Sequence, residues 1–448
     1  MAEQKTAVLI GAGDRGTIYA SYAIKNPSRL RITAVADPVP ERRERIARLH
    51  SIPQARVYES WEEMLSGPAL ADGAIIATQD TMHVGPAVTS LEAGYHVLLE
   101  KPMALTETDC RKIAGAAKRT GRTLNVCHVL RYIDFFSTVK SVLSSGMIGD
   151  VLSIYHAENI SYHHMAHSYV RGNWRSSSEA SPMILAKCCH DMDLVSWFAH
   201  SRPVKISSFG RLSHFVRANA PEGAPPRCTD GCPAAETCQY NAVDTYLTGK
   251  HMKLAITKTD SALMSTAARA MLRFPRLCAR VPGLNRYSEW RDWPTSTITE
   301  DLSEEGVMRA LREGPYGRCV YRCDNDQVDH QETIIEFENG STAVLRMHGH
   351  SHLEGRTLRI DGSRGCLRGQ SGGGGRLEVH VHATGKRVRI PVQTDLFGHG
   401  QGDYGIMENF VNVLKGGKGQ TDADDSLLSH VMAFAAHQAR IENRIVML

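Results

Sequence analysis

The chain has 448 residues, 42% hydrophobic and 22% charged, with a formal net charge of +4. That is a globular composition, long enough for two substantial cores, and it excludes collagen-like, low-complexity and strongly basic classes. No apolar run approaches the roughly 20 residues that span a bilayer, and no basic block makes a case for a nucleic-acid or membrane partner.

The first six residues lead straight into a strand, so we expect no signal peptide and a cytoplasmic location. There the eleven cysteines are reduced thiols or metal ligands. Ala7 to Ile10 reads as a buried strand. It breaks into Gly11-Ala12-Gly13-Asp14-Arg15-Gly16 and then a helical pattern from Thr17. This G-x-G-x-x-G stands between strand and helix, the setting in which free N–H groups and a helix N-terminus hold a pyrophosphate. A second strand, Leu30 to Ala36, ends in Asp37, about 20 residues beyond the glycines, where an acid binds the adenosine ribose diol. An acid there repels a 2′-phosphate, so NAD is preferred over NADP, although Arg42 and Arg43 follow closely.

Strands then alternate with helices through Gly73–Thr78, His96–Glu100 and Leu124–Val129, which predicts a parallel sheet with right-handed crossovers. We place a dinucleotide-binding domain at 1–128. Beyond it the pattern changes to an α/β domain, 129–448, with a large open, mostly antiparallel sheet. Its signals are a strand at Val151–Asn159, a helix from Pro182 to Ala199 and a hairpin around Asn339-Gly340. Further strands follow at 356–360, 377–382 and 388–392. Residues 213–315 read as an irregular Cys-containing insertion, and 403–448 as C-terminal helices.

Glu100-Lys101-Pro102 lies at the carboxyl end of a late strand of the first sheet, the end at which open α/β sheets bind ligands. With Gly11–Gly16, Asp37 and the run Thr78-Gln79-Asp80 to His83, the chain resembles the Gfo/Idh/MocA oxidoreductases over nearly its whole length. The resemblance implies a Rossmann domain followed by a substrate and oligomerisation domain. The implied chemistry is oxidation or reduction of a ring hydroxyl or ketone of a sugar, glycoside or cyclitol with NAD(P). It further implies Gly11, Gly13, Asp14, Arg15, Gly16, Asp37, Thr78, Gln79, Asp80, His83, Glu100 and Lys101 at the cofactor. Lys101 then assists substrate binding and proton transfer, and His190 matches the substrate-facing histidine. Asp193, three residues on, shares its helix face. Many dehydrogenases of the family carry an aspartate four residues before that histidine. Here it is Ala186, so Lys187 or Asp191 is a further candidate for the acid/base role.

The loop Tyr162–Arg175 concentrates His163, His164, His167, Arg171, Asn173, Trp174 and Arg175. Such a set suits a polyhydroxylated or anionic ligand, and we assign His164, His167, Arg171 and Trp174 to substrate with His128, Arg131 and Asp191. Its alternatives are a polar interdomain surface or a metal site on the histidines. Cys228-x3-Cys232-x5-Cys238, with Cys319 or Cys323 downstream, fits either a structural zinc or separate free thiols. His399, in a glycine-rich loop, is a further substrate candidate. The alternatives to a dehydrogenase are a redox-neutral NAD-dependent glycoside hydrolase or lyase and a non-catalytic NAD-responsive protein. An open sheet face predicts a homodimer or homotetramer.

Overall fold

The computed structural model describes residues 3–259, 261–284, 290–372, 374–393 and 400–448; His399 lies outside them. The first sheet contains β1 (Lys5–Ile10), β2 (Leu30–Ala36), β3 (Val57–Tyr58), β4 (Gly73–Ile76), β5 (His96–Leu99) and β6 (Leu124–Val126). Their order is β3-β2-β1-β4-β5-β6, and every pairing is parallel. The strands are continuous apolar runs because helices cover both faces. Among those helices, Glu107–Thr120 starts on a capping box: Thr106 accepts from the Asp109 N–H and donates to its carboxylate. The order reverses between β1 and β4, so the loops after these two strands border the crevice in which such sheets bind ligands.

The second sheet is built from β7 (Val151–Ser161), β8 (Pro203–Arg211), β9 (His330–Phe337), β10 (Thr342–Ser351), β11 (Gly355–Gly362), β12 (Gly365–Ser371), β13 (Arg376–Val381), β14 (Arg387–Ile390) and β15 (Val446–Met447). They run β14-β13-β12-β11-β7-β10-β9-β8-β15. Among the described residues only β7 and β10 pair in parallel. One face packs against the helices Cys189–Ala199 and Ala423–Glu442 through Met192, Val195, Met432 and Ala436. The other is open: Tyr155, Val344 and Ile334 sit opposite one another on β7, β10 and β9, and Tyr155 and Ile334 are exposed.

Three local expectations change. The predicted helix Pro182–Ala199 is two pieces, Met183–Ala186 and Cys189–Ala199, parted at Lys187-Cys188. The histidine-rich stretch is a buried helical turn rather than an open loop, with Met165–Arg171 wound in wide π-type turns. The insertion is not irregular: it contains the helices Lys250–Ile256, Ala262–Arg273 and Glu304–Glu313. Ser261 and Ser303 cap the last two. Met252, Ile256, Met271 and Trp290 form a small core of their own.

The C-terminal helices bind the two sheets together. Gly400–Leu414 buries Ile406, Phe410 and Val411 against Leu9 and Ile75 of the first sheet. At the junction Arg131 forms a bidentate pair with Asp193, both bonds 2.7 Å, and its remaining nitrogen donates to the Gln420 carbonyl and to Asp425. Removing one partner of a buried pair leaves the other charge uncompensated, at about 3–5 kcal/mol. Asp193→Ala should therefore lower the unfolding free energy by that amount in urea melts, whereas Asp425→Ala, at the exposed end of the network, should cost less than about 1 kcal/mol.

Candidate active site

Strand β1 delivers the chain to Gly11, whose φ of +92° places it in the left-handed region. A Cβ there would lie 2.5 Å from the Ala77 carbonyl oxygen, and one on Gly16 would lie 2.0 Å from the Gly11 oxygen. Gly13 differs: its Cβ position has no neighbour within 4 Å. Gly13 also caps the helix Asp14–Lys25 without any side-chain hydrogen bond, so the first-turn N–H groups remain for an anion. Asp37 receives the Ala12 N–H at 2.7 Å and the Val39 N–H at 2.9 Å, one on each oxygen. It thus braces the glycine loop while each oxygen keeps a lone pair. Arg43 is spent on the Asp37 and Pro38 carbonyls and on Glu59.

Across the switch point, the Thr78 hydroxyl is buried without a hydrogen-bond partner among the described residues. Gln79 is exposed. Asp80 accepts from the Trp174 indole at 3.2 Å, a contact between the first sheet's loops and the second domain. The open Gly13, the uncapped helix start and the orphaned Thr78 hydroxyl together fit a dinucleotide. His83 takes a positioning place instead: it is wholly buried, its Nδ1 donates to the Pro102 carbonyl at 2.7 Å, and its Nε2 lies 3.3 Å from the Thr78 carbonyl. Arg15 is likewise committed within the protein, since its guanidinium meets Glu100 at 2.6 Å, Asp403 at 2.5 Å and the Tyr19 hydroxyl.

Glu100 holds the turn that carries the lysine. One oxygen accepts from Arg15 and Tyr19, the other from the Lys101 N–H at 2.7 Å. Burial alone would raise its pKa, but Arg15 and Lys101 outweigh it and hold the carboxyl down at about 2. The Lys101 ammonium then extends to the Ala186 carbonyl oxygen at 3.1 Å, and His190 stands four residues beyond Ala186. The His190 ring packs edge-on to His128 at 5.7 Å, and His128 lies 5.8 Å from His430. His430 accepts the Met103 N–H on Nε2 and donates from Nδ1 to the Ser426 carbonyl, so the C-terminal helix fixes the segment after Lys101.

Several residues expected in the cleft serve the scaffold. Asp193 and Arg131 are consumed by each other. Asp191 is buried and paired with His156 at 2.7 Å and Arg356 at 3.1 Å. Burial works to raise its pKa, but Arg356 and His156 keep it ionised. Lys187 lies 3.4 Å from Glu158 and 3.2 Å from Glu354. Burial would lower its pKa, but the two carboxylates raise it, so it is a fixed cation rather than a base. His164 shares Glu354 at 3.0 Å. His167 bonds the Tyr246 hydroxyl at 2.8 Å and Thr297 at 3.2 Å, anchoring the insertion. Arg171 donates to the Arg318 and Tyr240 carbonyls.

Of the two readings of Cys228, Cys232, Cys238 and Cys323, structural zinc or free thiols, the zinc site finds no support. The Cys323 thiol donates to the Cys319 carbonyl at 3.4 Å, and among the described residues no three His, Cys, Asp or Glu side chains are placed to share one metal ion. Residues that sequence reasoning missed include Glu158, Glu354, Arg356, Asp403 and His430. Each acts through a partner remote in sequence, with no local signal.

Comparison with known proteins agrees with the fold. Residues 5–128 match a family described as an oxidoreductase family with an NAD-binding Rossmann fold. An uncharacterized oxidoreductase of Streptococcus pneumoniae is 29% identical over 45% of this chain and 52% of that protein. The 2,7-anhydro-N-acetylneuraminate hydratase of Escherichia coli is 27% identical over 46% of this chain and 53% of its own length. The chain thus spans about half the length of the curated relatives it matches. In fold it is similar to scyllo-inositol dehydrogenase from Lactobacillus casei, solved with NAD(H) and scyllo-inositol: TM-score 0.61, 15% identity, 99% of each chain.

Two outcomes follow from the geometry. Gly13→Val should fold as the parent does but lose NAD binding by calorimetry, whereas Gly16→Ala should lower the melting temperature, because its Cβ meets backbone. Burial holds His163 and His251 down at about 4, and His167 and His430 at about 3, hence neutral. With folded values below the unfolded one, their contribution is complete above about pH 6.5 and is lost as pH falls toward 3, at up to about 1.4 kcal/mol per pH unit each. Urea midpoints should therefore drop between pH 7 and pH 5, before most carboxylates titrate.

Proposed function

We propose that the chain, whose residues 5–128 match the oxidoreductase family with an NAD-binding Rossmann fold, is a Gfo/Idh/MocA-type NAD-dependent oxidoreductase of a ring hydroxyl or ketone in a sugar, glycoside or cyclitol. The observation that carries this reading is Lys101. Its turn is locked by Glu100 at the end of β5, and its ammonium reaches across to Ala186, four residues before His190.

The glycine loop, Asp37 and Thr78–Asp80 would hold NAD, which supplies the hydride acceptor. Asp37 selects it over NADP, and Arg43, already bonded to Asp37 and Pro38, is not left for a 2′-phosphate. Lys101 donates to the reacting oxygen and fixes the substrate hydroxyl. His190 takes the hydroxyl proton on oxidation and returns it on reduction, the work suited to an imidazole. Trp174, tied to Asp80, closes the cleft from the second domain. The open face bearing Tyr155, Val344 and Ile334 is where a second copy would pack, giving a homodimer or homotetramer.

A second reading has two observations in its favour: where many dehydrogenases of the family have an aspartate, this chain has Ala186, whose carbonyl accepts from Lys101, and a relative is named a hydratase. Transient oxidation, elimination, addition of water and re-reduction would then leave no net redox change. A panel of inositols, sugars and glycosides with added NAD separates the two. We expect NADH formation with at least one cyclitol or sugar, and a loss of about 10²–10⁴ in kcat for Lys101→Ala with NAD affinity retained. Product without NADH, from protein that retains NAD and exchanges substrate C–H for deuterium, would establish the second reading. Full activity in Lys101→Ala would overturn both.

A further inference from the structure

The insertion gathers cysteines that the proposed chemistry does not use. A backbone bridge between Arg227 and Arg318 sets two distant segments side by side, with the Cys228 N–H on the Gly317 carbonyl at 2.9 Å and the Cys319 N–H on the Pro226 carbonyl at 2.8 Å. The turn from Cys232 to Cys238 closes on its own carbonyls. In consequence Cys228, Cys232, Cys238 and Cys319 line one cavity, together with Arg171, Asn241, mostly apolar side chains and Arg227, whose guanidinium is bonded to the Leu311, Glu313 and Gly314 carbonyls. All four are free of disulfides.

Arg171 is the second observation. It is among the largest wholly buried side chains of the protein. Its guanidinium donates to two carbonyls at 2.7 Å and to the Cys228 sulfur at 3.6 Å. Among the described residues no carboxylate pairs with it. A buried cation without an anion is costly, and this one donates to the sulfur of Cys228, one of the four thiols that line the cavity. A single zinc ion needs its sulfurs about 2.3 Å from one point, and the four do not converge in that way. In a cubane each thiolate instead holds its own iron, so the sulfurs stand apart around a core.

We propose that Cys228, Cys232, Cys238 and Cys319 ligate an iron–sulfur cluster of the 4Fe–4S type, with Arg171 as its buried counter-ion. The four thiols give up their protons on ligation. The resulting anion neutralises Arg171, whose N–H to the Cys228 sulfur is the kind of bond that tunes such clusters. Because Arg171 ends the turn that begins just after His164, the cluster ties the insertion to the histidine-bearing segment.

The test uses the full chain, purified without oxygen and again after anaerobic incubation with ferric iron, sulfide and a thiol that reduces half of the iron. We expect about four irons and four acid-labile sulfides per chain, with broad visible absorption. Serine at position 228, 232, 238 or 319 should abolish most of the iron, whereas Cys323→Ser, outside the cavity, should retain it. The iron and sulfide content of the parent chain decides the matter even where a serine variant fails to fold. Zinc bound in place of iron, iron without sulfide, no metal, or cluster content that survives all four substitutions would each overturn the proposal.

Discussion

One guanidinium holds the candidate active site together. Arg15 leaves the first turn of the glycine helix and bonds Glu100 at the end of β5 and Asp403 in the helix Gly400–Leu414. The second oxygen of Glu100 receives the Lys101 N–H. The loop for the pyrophosphate, the turn for the lysine and a helix almost 400 residues away are thereby referenced to one cation. With Glu100 and Asp403 both largely buried, neither carboxylate has water to fall back on, so the geometry is set by pairing rather than by loop propensity.

The second domain uses charge in the same way on a larger scale. Glu158, Asp191 and Arg356 meet between β7, β11 and the helix Cys189–Ala199, and Lys187 and Glu354 extend the cluster toward the cleft. Burial pushes Glu158 up, against the pull of Arg356 and Lys187, while Asp191 is held low. This network explains the break in the helix at Lys187-Cys188. Lys187 follows its carboxylates to the sheet, and the chain then resumes a helix with His190 near the front.

Legibility in the sequence followed the range of the interactions. The glycine loop, the alternation behind the parallel sheet, the hairpin at Asn339-Gly340 and the position of Lys101 rest on local rules, and the structure places them as expected. The helix spacing of His190 and Asp193 is also a local rule, but it says nothing of partners. Arg131, sixty-two residues upstream, takes both oxygens of Asp193. The polar loop 162–175 has a binding composition, yet His167 and Arg171 are used to hold the insertion. The insertion itself looked irregular because its helices are short, and one of them, Lys250–Ile256, starts at Gly249 without any side-chain cap. That Cys319 rather than Cys323 joins the other three cysteines depends on a backbone bridge spanning ninety-one residues, which no spacing pattern encodes.

The helix Ala423–Glu442 has a consequence for how the protein can be divided. Its Ser429 and His430 lie against His128 and the Met103 backbone on one side, while Met432, Ala436 and Ala439 belong to the core of the second sheet on the other. Thr421, just before it, receives hydrogen bonds from Val126 and Asn125 at the edge of the first sheet. The nucleotide-binding half is thus completed by the end of the polypeptide, not by its own sequence. It is not a transplantable module: cut free after β6, it would expose the surface that this helix covers. Because the two halves share this helix, energy gained by a ligand at the glycine loop would stabilise the distant sheet as well.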